Sequence, residues 1–437
     1  MRGFACSHSV RLMWRRRLLL ALAAFGVFTL HSVLALAGPA RADTVTDWNA
    51  TAAAALQSPG TVTPPAVPGA GQGAVSTVHL AMVHAAVYDA VNAIDGGHEP
   101  YASSPAAEPG YSQDAAVAAA ARHVLLNGDL RFPAARIPVI ETAYQNTLAG
   151  IPPGAAKDGG IATGVAAANA VLAAPGGDNR FGTFSFTAGT LPGEWVPTSG
   201  VFDPGAWLKE VTPFVLRDPD LFRGRGPNAL HTRAYAAEFN EVKAIGRATG
   251  STRTQEQTDA ANFWGQGNAT ATMANILRSV ASTQGGTLAD HARVFARAYA
   301  NAADALIVTW RDKARYSFWR PITAIREAAS DGNAATEPEA AWTSLIAAPP
   351  YPDHPSGLSA FGCSVADTLQ HFYGRDAATF SGTTPGMVTR TFTSFSQLCD
   401  DIVDARVWSG IHFRFADAEA AKIGRKVAHW GNRHAFR

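Results

Sequence analysis

Three short segments in the last third of the chain constrain its fold more than any other feature. They hold Lys313 and Arg320-Pro321, then Pro355-Ser356-Gly357, then Arg406 and His412. Taken singly, each has an ordinary reading: a pair of solvated cations, a helix N-cap and a core histidine. Taken together they supply one Lys, two Arg, a hydroxyl, a glycine amide and an imidazole. That set suits a compact tetrahedral or trigonal-bipyramidal oxyanion. Guanidiniums fork onto its oxygens and Lys adds a point charge. A helix start adds N–H groups at the positive end of its dipole. The imidazole nitrogen then bonds the central atom. A fold that uses this set must bring all three segments to one cavity.

The rest of the sequence argues for an all-α fold, a large helical bundle with the anion site inside its C-terminal part. Alanine is abundant and most segments repeat apolar residues at helical spacing. The pattern predicts helices over 75–94, 115–127, 138–149, 154–174, 228–249, 254–264, 270–283, 287–310, 356–373, 389–411 and 417–430. Residues 64–73 are Pro/Gly-rich and read as a linker or arm. Residues 180–213 are rich in Gly, Thr, Pro and aromatics and read as an irregular loop or small hairpin, with alternation at 183–187. The expected organisation is an N-terminal helical region over 43–200 and the anion-binding region over 201–437.

Residues 1–42 read as an export signal. Arg15, Arg16 and Arg17 precede an apolar run from Leu18 to Leu30, and Ala40-Arg41-Ala42 is a small-x-small cleavage site. The run is short for a membrane span, and no later stretch reads as one. An exported, periplasmic or extracellular protein is therefore expected. Removing the signal leaves 30 basic against 35 acidic residues, a net charge of −5. That balance argues against nucleic acid as a partner. Cys363 and Cys399 remain, as a disulfide or as two buried thiols. Asn49 and Asn268 lie in glycosylation sequons.

Residues 78–95 (VHLAMVHAAVYDAVNAID), 304–326 (DALIVTWRDKARYSFWRPITAIR), 351–364 and 404–415 (DARVWSGIHFRF) resemble bacterial vanadium-dependent haloperoxidases. These belong to the type-2 phosphatidic acid phosphatase/haloperoxidase superfamily. The resemblance implies an all-α fold and vanadate as cofactor, with hydrogen peroxide and halide as partners. It implies that Lys313, Arg320, Ser356, Gly357 and Arg406 hold the anion's oxygens and that His412 bonds vanadium. Because phosphate and vanadate share shape and charge, two alternatives stand beside it. One is a secreted acid phosphatase acting on phosphomonoesters through a phosphorylated His412; the other is an anion-binding protein with little turnover.

Two positions depart from the family pattern. Leu358 stands where the family usually has an acid–base histidine after Ser-Gly, and leucine transfers no proton. His354, just before the motif, is the candidate replacement; its other reading is a turn residue bonded to backbone. Ala416 stands where an Asp often orients the histidine ligand. Asp417 comes one residue late, so a backbone carbonyl is the expected partner. Trp264, Tyr316, Phe318 and Trp319 read as core aromatics with a second reading as pocket lining. His84, Tyr88 and Asp89 read as buried polar residues of a core helix. Zinc, nucleophile-elbow and phosphate-loop motifs do not occur.

Overall fold

The computed structural model describes residues 43–56, 73–198, 200 and 202–437. The export signal and residues 64–72 of the expected linker lie outside them. Five helices come first: α1 (Thr44–Leu56), α2 (Gly73–Asp95), α3 (Gln113–Asn127), α4 (Ile137–Ala149) and α5 (Ala155–Ala173). After the irregular stretch come α6 (Arg233–Ile245), α7 (Gln255–Gly265), α8 (Ala269–Gln284), α9 (Leu288–Tyr316) and the short α10 (Pro321–Arg326). The chain ends with α11 (Gly357–Tyr373), α12 (Phe395–Trp408) and α13 (Arg414–His434). The all-α expectation holds. The irregular reading of 180–213 also holds, since it carries only a short 3₁₀ turn and one isolated bridge, Glu194 to Phe318.

The helix α9 is the axis of the site. It starts at a capping box, where Thr287 accepts from the Asp290 N–H and Asp290 accepts from the Thr287 N–H. It packs against α2 on one side and against α11 and α13 on the other. Nearly all of α2 is buried. Its 23 residues are long and apolar enough to cross a bilayer, contrary to the sequence reading, but this helix spends its apolar surface inside the protein. The helices α11 and α13 touch closely at Gly424. A Cβ there would lie 2.3 Å from the Ala360 carbonyl oxygen, so a side chain would push apart the helix that carries Ser356 and the one that follows His412.

Two elements escape the sequence reading. The helix α1 was not expected, because its Thr/Ala run has few large apolar residues; Val45, Trp48, Ala52 and Leu56 nevertheless bury completely or nearly so. The helix expected over 389–411 begins only at Phe395. Before it, β2 (Thr389–Ser394) pairs antiparallel with β1 (Ala377–Thr383), with Phe380 opposite Phe392. Thr-rich alternation suits a half-buried ribbon, and Thr383–Thr389 and Ser381–Thr391 hydroxyl pairs at 2.9 Å seal its outer face.

The buried polar residues of α2 are structural. Tyr88 donates to the Glu99 carbonyl, and Asp89 accepts from the N–H groups of Tyr101, Ala102 and Ser103. His84 sits against Asn49, whose amide also bonds Tyr299 and Arg278. Asn49 is fully buried, so its sequon is closed to glycosylation in the folded chain. Asn268 caps α8.

Cys363 on α11 and Cys399 on α12 form a disulfide. It closes a loop of 36 residues and ties the helix bearing Ser356 to the helix bearing Arg406. In the chain-entropy picture such a loop contributes about 4 kcal/mol. A double Cys363→Ala/Cys399→Ala variant should lose stability of that order in urea unfolding. A loss below about 1 kcal/mol would show that the crosslink adds little to the bundle.

Candidate active site

The six site residues singled out by the three motifs, Lys313, Arg320, Ser356, Gly357, Arg406 and His412, fall in one buried region, though not for every reason expected. Lys313 lies in the last turn of α9, but Arg320 is not on the same helix face. The helix α9 ends at Tyr316, where Ser317 turns left-handed at φ 39°. Arg320 is extended and caps α10, with Pro321 at its first position. Proline fits a first helical turn and disfavours helical backbone in the residue before it. A chain break, not helical periodicity, carries Arg320 back toward Lys313.

Both cations grip the segment before Ser356. The Lys313 ammonium donates to the carbonyls of Pro352 (2.7 Å) and Asp353 (2.9 Å). Arg320 donates to the carbonyls of Tyr351 (2.9 Å) and Ile411 (2.7 Å). The Tyr351 ring lies 5.0 Å from the Lys313 nitrogen and 4.9 Å from the Arg320 guanidinium carbon. Arg320 thereby bridges the second motif to the turn between α12 and α13, where His412 sits.

The orientation of His412 is set by a residue that the sequence reading missed. Its Nδ1 lies 2.8 Å from Asp353 Oδ1, and both residues are buried. The carboxylate takes the Nδ1–H and leaves the lone pair on Nε2. Arg320 Nη1 lies 3.1 Å from Nε2 and 3.4 Å from Nδ1; since guanidinium only donates, it pairs with the unprotonated Nε2 that the Asp353 contact leaves. Burial, followed by the charges of Arg320, Arg406 and Lys313, holds the His412 pKa well below its usual value. His412 is therefore a neutral imidazole with Nε2 facing cations. The expected backbone carbonyl is not its partner. Asp417 does not orient it either: Asp417 accepts from the Ser359 hydroxyl at 2.7 Å.

Two buried guanidinium nitrogens here, Arg320 Nη2 and Arg406 Nε, have no hydrogen-bonding partner among the described residues. Ser356 is the N-cap of α11, but its hydroxyl accepts no bond from that helix. It pairs instead with the Asp417 carboxyl group. Gly357 serves packing as well as access, because a Cβ there would lie 2.8 Å from the Trp310 ring. Burial depresses the pKa values of Lys313, Arg320 and Arg406 and raises that of Asp417 to about 7. Three cations face two carboxylates. Spare donors on two guanidiniums, beside a neutral imidazole, suit an oxyanion of vanadate or phosphate type.

His354 follows its structural reading. Its Nε2 donates to the Arg225 carbonyl at 2.6 Å, between the rings of Tyr316 and Phe415. Burial lowers its pKa to about 4. Leu358 is half-buried and packs on the main core. Trp264, Phe318 and Trp319 are core residues as expected, with Trp264 bonded to Asp401.

Residues 293–437 match the VCPO second helical-bundle domain. The match begins within α9 and takes in all six site residues of the motifs. The chain as a whole shares its fold with solved bacterial vanadium-dependent haloperoxidases. A bacterial vanadium-dependent iodoperoxidase structure superposes with a TM-score of 0.72 at 21% identity, covering 89% of this chain and 94% of that one. A holo-type bacterial vanadium-dependent chloroperoxidase gives 0.67 at 16% identity, covering 91% and 98%. At these identities the likeness is one of fold. In sequence, the vanadium chloroperoxidase of Curvularia inaequalis is 25% identical over 182 residues, 31% of this chain. That stretch spans only 29% of the length of the curated relative.

The neutral His354 makes stability depend on pH. Its folded pKa of about 4 lies below the ordinary value near 6.5. The unfolded chain thus binds an extra proton in between, and the contribution is full above about pH 6.5 and lost as pH falls toward 4. In His354→Gln an amide N–H still reaches the Arg225 carbonyl, but nothing titrates. Urea unfolding across pH 7 to 4 should show a pH slope shallower by up to one proton, about 1.4 kcal/mol per pH unit. An unchanged slope would mean that His354 is not held neutral.

Proposed function

We propose that this chain is an exported vanadate-dependent enzyme of haloperoxidase type, which oxidises halide with hydrogen peroxide. The observation that carries the reading is His412: a neutral imidazole, held by Asp353 through Nδ1, whose Nε2 lies 3.1 Å from Arg320 in a region where the guanidiniums of Arg320 and Arg406 keep unpaired donors. His412 would bond vanadium through Nε2. Lys313, Arg320, Ser356, Gly357 and Arg406 would hold the vanadate oxygens. When bound, vanadate supplies Lewis-acid activation of peroxide toward two-electron oxidation of halide.

The chain's own residues do the rest. Asp353 keeps the proton on Nδ1, so the Nε2 lone pair stays available at any pH at which the carboxylate pairs with it. Arg320 and Arg406 place positive charge where negative charge develops, in a site shielded from water. The Lys313 ammonium, anchored on two carbonyls, fixes the loop that carries Asp353 and Ser356. Leu358 offers no proton and makes its part of the first turn of α11 apolar. The disulfide supports export, because such a bond persists in an oxidising compartment.

The deciding assay uses the mature protein with and without orthovanadate. Bromide and iodide oxidation by peroxide is measured beside phosphomonoester hydrolysis. Vanadate-dependent halide oxidation is the expected result. Hydrolysis without halide oxidation would assign the site to a phosphatase, and neither activity would leave an anion-binding protein. Orthovanadate at about 100 times its Kd should stabilise the protein by about 2.7 kcal/mol. His412→Ala should abolish that stabilisation together with activity, and retention of it would remove His412 from the site.

A second variant tests Leu358. General acid–base help is worth about 10²–10⁴-fold. Leu358→His should raise turnover at least about tenfold while vanadate affinity stays within about twofold. No gain in turnover with the fold intact would show that proton transfer at this position does not limit the reaction.

A further inference from the structure

The helix α6 supplies none of the oxyanion-site residues, yet it is the platform for the turn between α12 and α13 on which His412 sits. Tyr235, Phe239 and Val242 of α6 are buried in one cluster with Val407 and Phe413. The Tyr235 and Phe413 rings stand 5.7 Å apart between centroids. Beyond the end of α6, Gly246 meets the turn backbone to backbone: a Cβ on Gly410 would lie 2.2 Å from the Gly246 carbonyl oxygen. Gly410 is itself left-handed at φ 78°, a conformation that favours glycine. The first turn of α13 has a Phe413 N-cap, which offers no side-chain acceptor. The Glu238 carboxylate of α6 takes the Phe415 N–H in its place.

Arg414, the first residue of α13, joins that helix to two others. Its Nε donates to both carboxylate oxygens of Glu241 on α6, at 2.8 and 3.0 Å, and its Nη1 donates to Asp404 Oδ1 on α12 at 2.7 Å. Asp404 lies two residues before Arg406, and Arg414 lies two residues after His412. The Arg414–Asp404 bond therefore closes a span of ten residues that holds both. Helix stability does not account for an arginine here, because the N-terminus of a helix disfavours a cation. Nor is this a single exposed ion pair, which would add little. Arg414 is half-buried and engages two carboxylates at once, each on a helix other than its own. Arg320 holds the middle of the same turn through the Ile411 carbonyl at 2.7 Å.

We propose that Arg414 is a positioning residue for the anion site: its clasp on Glu241 and Asp404 sets the distance and direction between the Arg406 guanidinium and the His412 imidazole. The role rests on the reading of those two residues as holders of the oxyanion. Arg414 acts through the turn and takes no part in binding the anion itself. Without the clasp, His412 keeps its bond to Asp353 but shifts relative to Arg406, and one anion no longer meets both in good geometry. A misplacement of about 1 Å is enough to cost roughly 100-fold in rate.

Orthovanadate binding is measured by calorimetry on the mature protein, with halide oxidation by peroxide assayed beside it. Arg414→Met keeps the apolar stem and removes the clasp. In the folded variant the orthovanadate Kd should rise at least about tenfold and turnover should fall by up to roughly 100-fold. Arg414→Lys, which reaches one carboxylate at a time, should recover part of the affinity. A purely structural role would lower stability in urea and leave the affinity of the folded protein unmoved. A folded Arg414→Met protein that binds orthovanadate as wild type does would therefore overturn the proposal. If Arg414→Met does not fold, Glu241→Gln decides: unchanged affinity overturns the clasp and weaker affinity upholds it. Wild-type protein that binds orthovanadate without oxidising halide removes the haloperoxidase reading, and a raised Kd in Arg414→Met then still upholds the positioning role. Wild-type protein that binds neither orthovanadate nor phosphate would overturn both.

Discussion

Three cations buried in one place are the constraint on which the rest of this structure depends. Each ion withdrawn from water costs several kcal/mol unless polar partners replace its hydration. Here the partners are carbonyls of two loops and the carboxylates of Asp353 and Asp417, and they do not use every donor. The framework must therefore hold Lys313, Arg320 and Arg406 together against their mutual repulsion. It does so by seating α9 among α2, α11 and α13, by the close approach at Gly424, and by the crosslink between α11 and α12. An incoming oxyanion would find the repulsion already offset by the fold, so its binding energy is not spent on assembling the site.

The same constraint explains how the chain tolerates its departures from the family pattern. The position that often carries an orienting Asp holds Ala416, and the task passes to Asp353 in the loop before Ser356. What the imidazole needs is a buried acceptor on Nδ1, from whichever segment brings one. Lys313 holds the Asp353 carbonyl, so the cation that faces the anion also positions the carboxylate that orients the imidazole. Leu358 has no such replacement nearby. His354 is committed to the Arg225 carbonyl and is neutral.

The irregular stretch adds a second, aromatic-lined cavity to the helical framework. The helices bury alanine and aliphatic surface and place the cations; the aromatic loop lays a second cavity against them through Asp203 and Trp310. Its Gly- and Pro-rich sequence resists both helix and strand, which frees its aromatics to be arranged by packing alone.

The sequence by itself determined the helical architecture, because the 3.6-residue repeat of buried positions survives without knowledge of neighbours, and it determined the inventory of the anion site, because each motif residue has a fixed chemistry. It also misjudged in ways that have physical causes. A spacing of seven residues would put Lys313 and Arg320 on one face of a continuous helix, but α9 ends at Tyr316 and the pairing arises across that break. The helix expected from 389 lost its first turn to a ribbon, since Phe392 finds its partner in Phe380 across space. Asp353 carried no local signal: it sits in a Pro-rich loop without periodicity, and only its contact with His412 gives it a role. Whether the two cysteines would bridge, and which carboxylate would meet the imidazole, were decided by tertiary structure alone. Both depend on distances between segments far apart in the chain, and such distances are set by how whole helices pack, not by any residue's own preference.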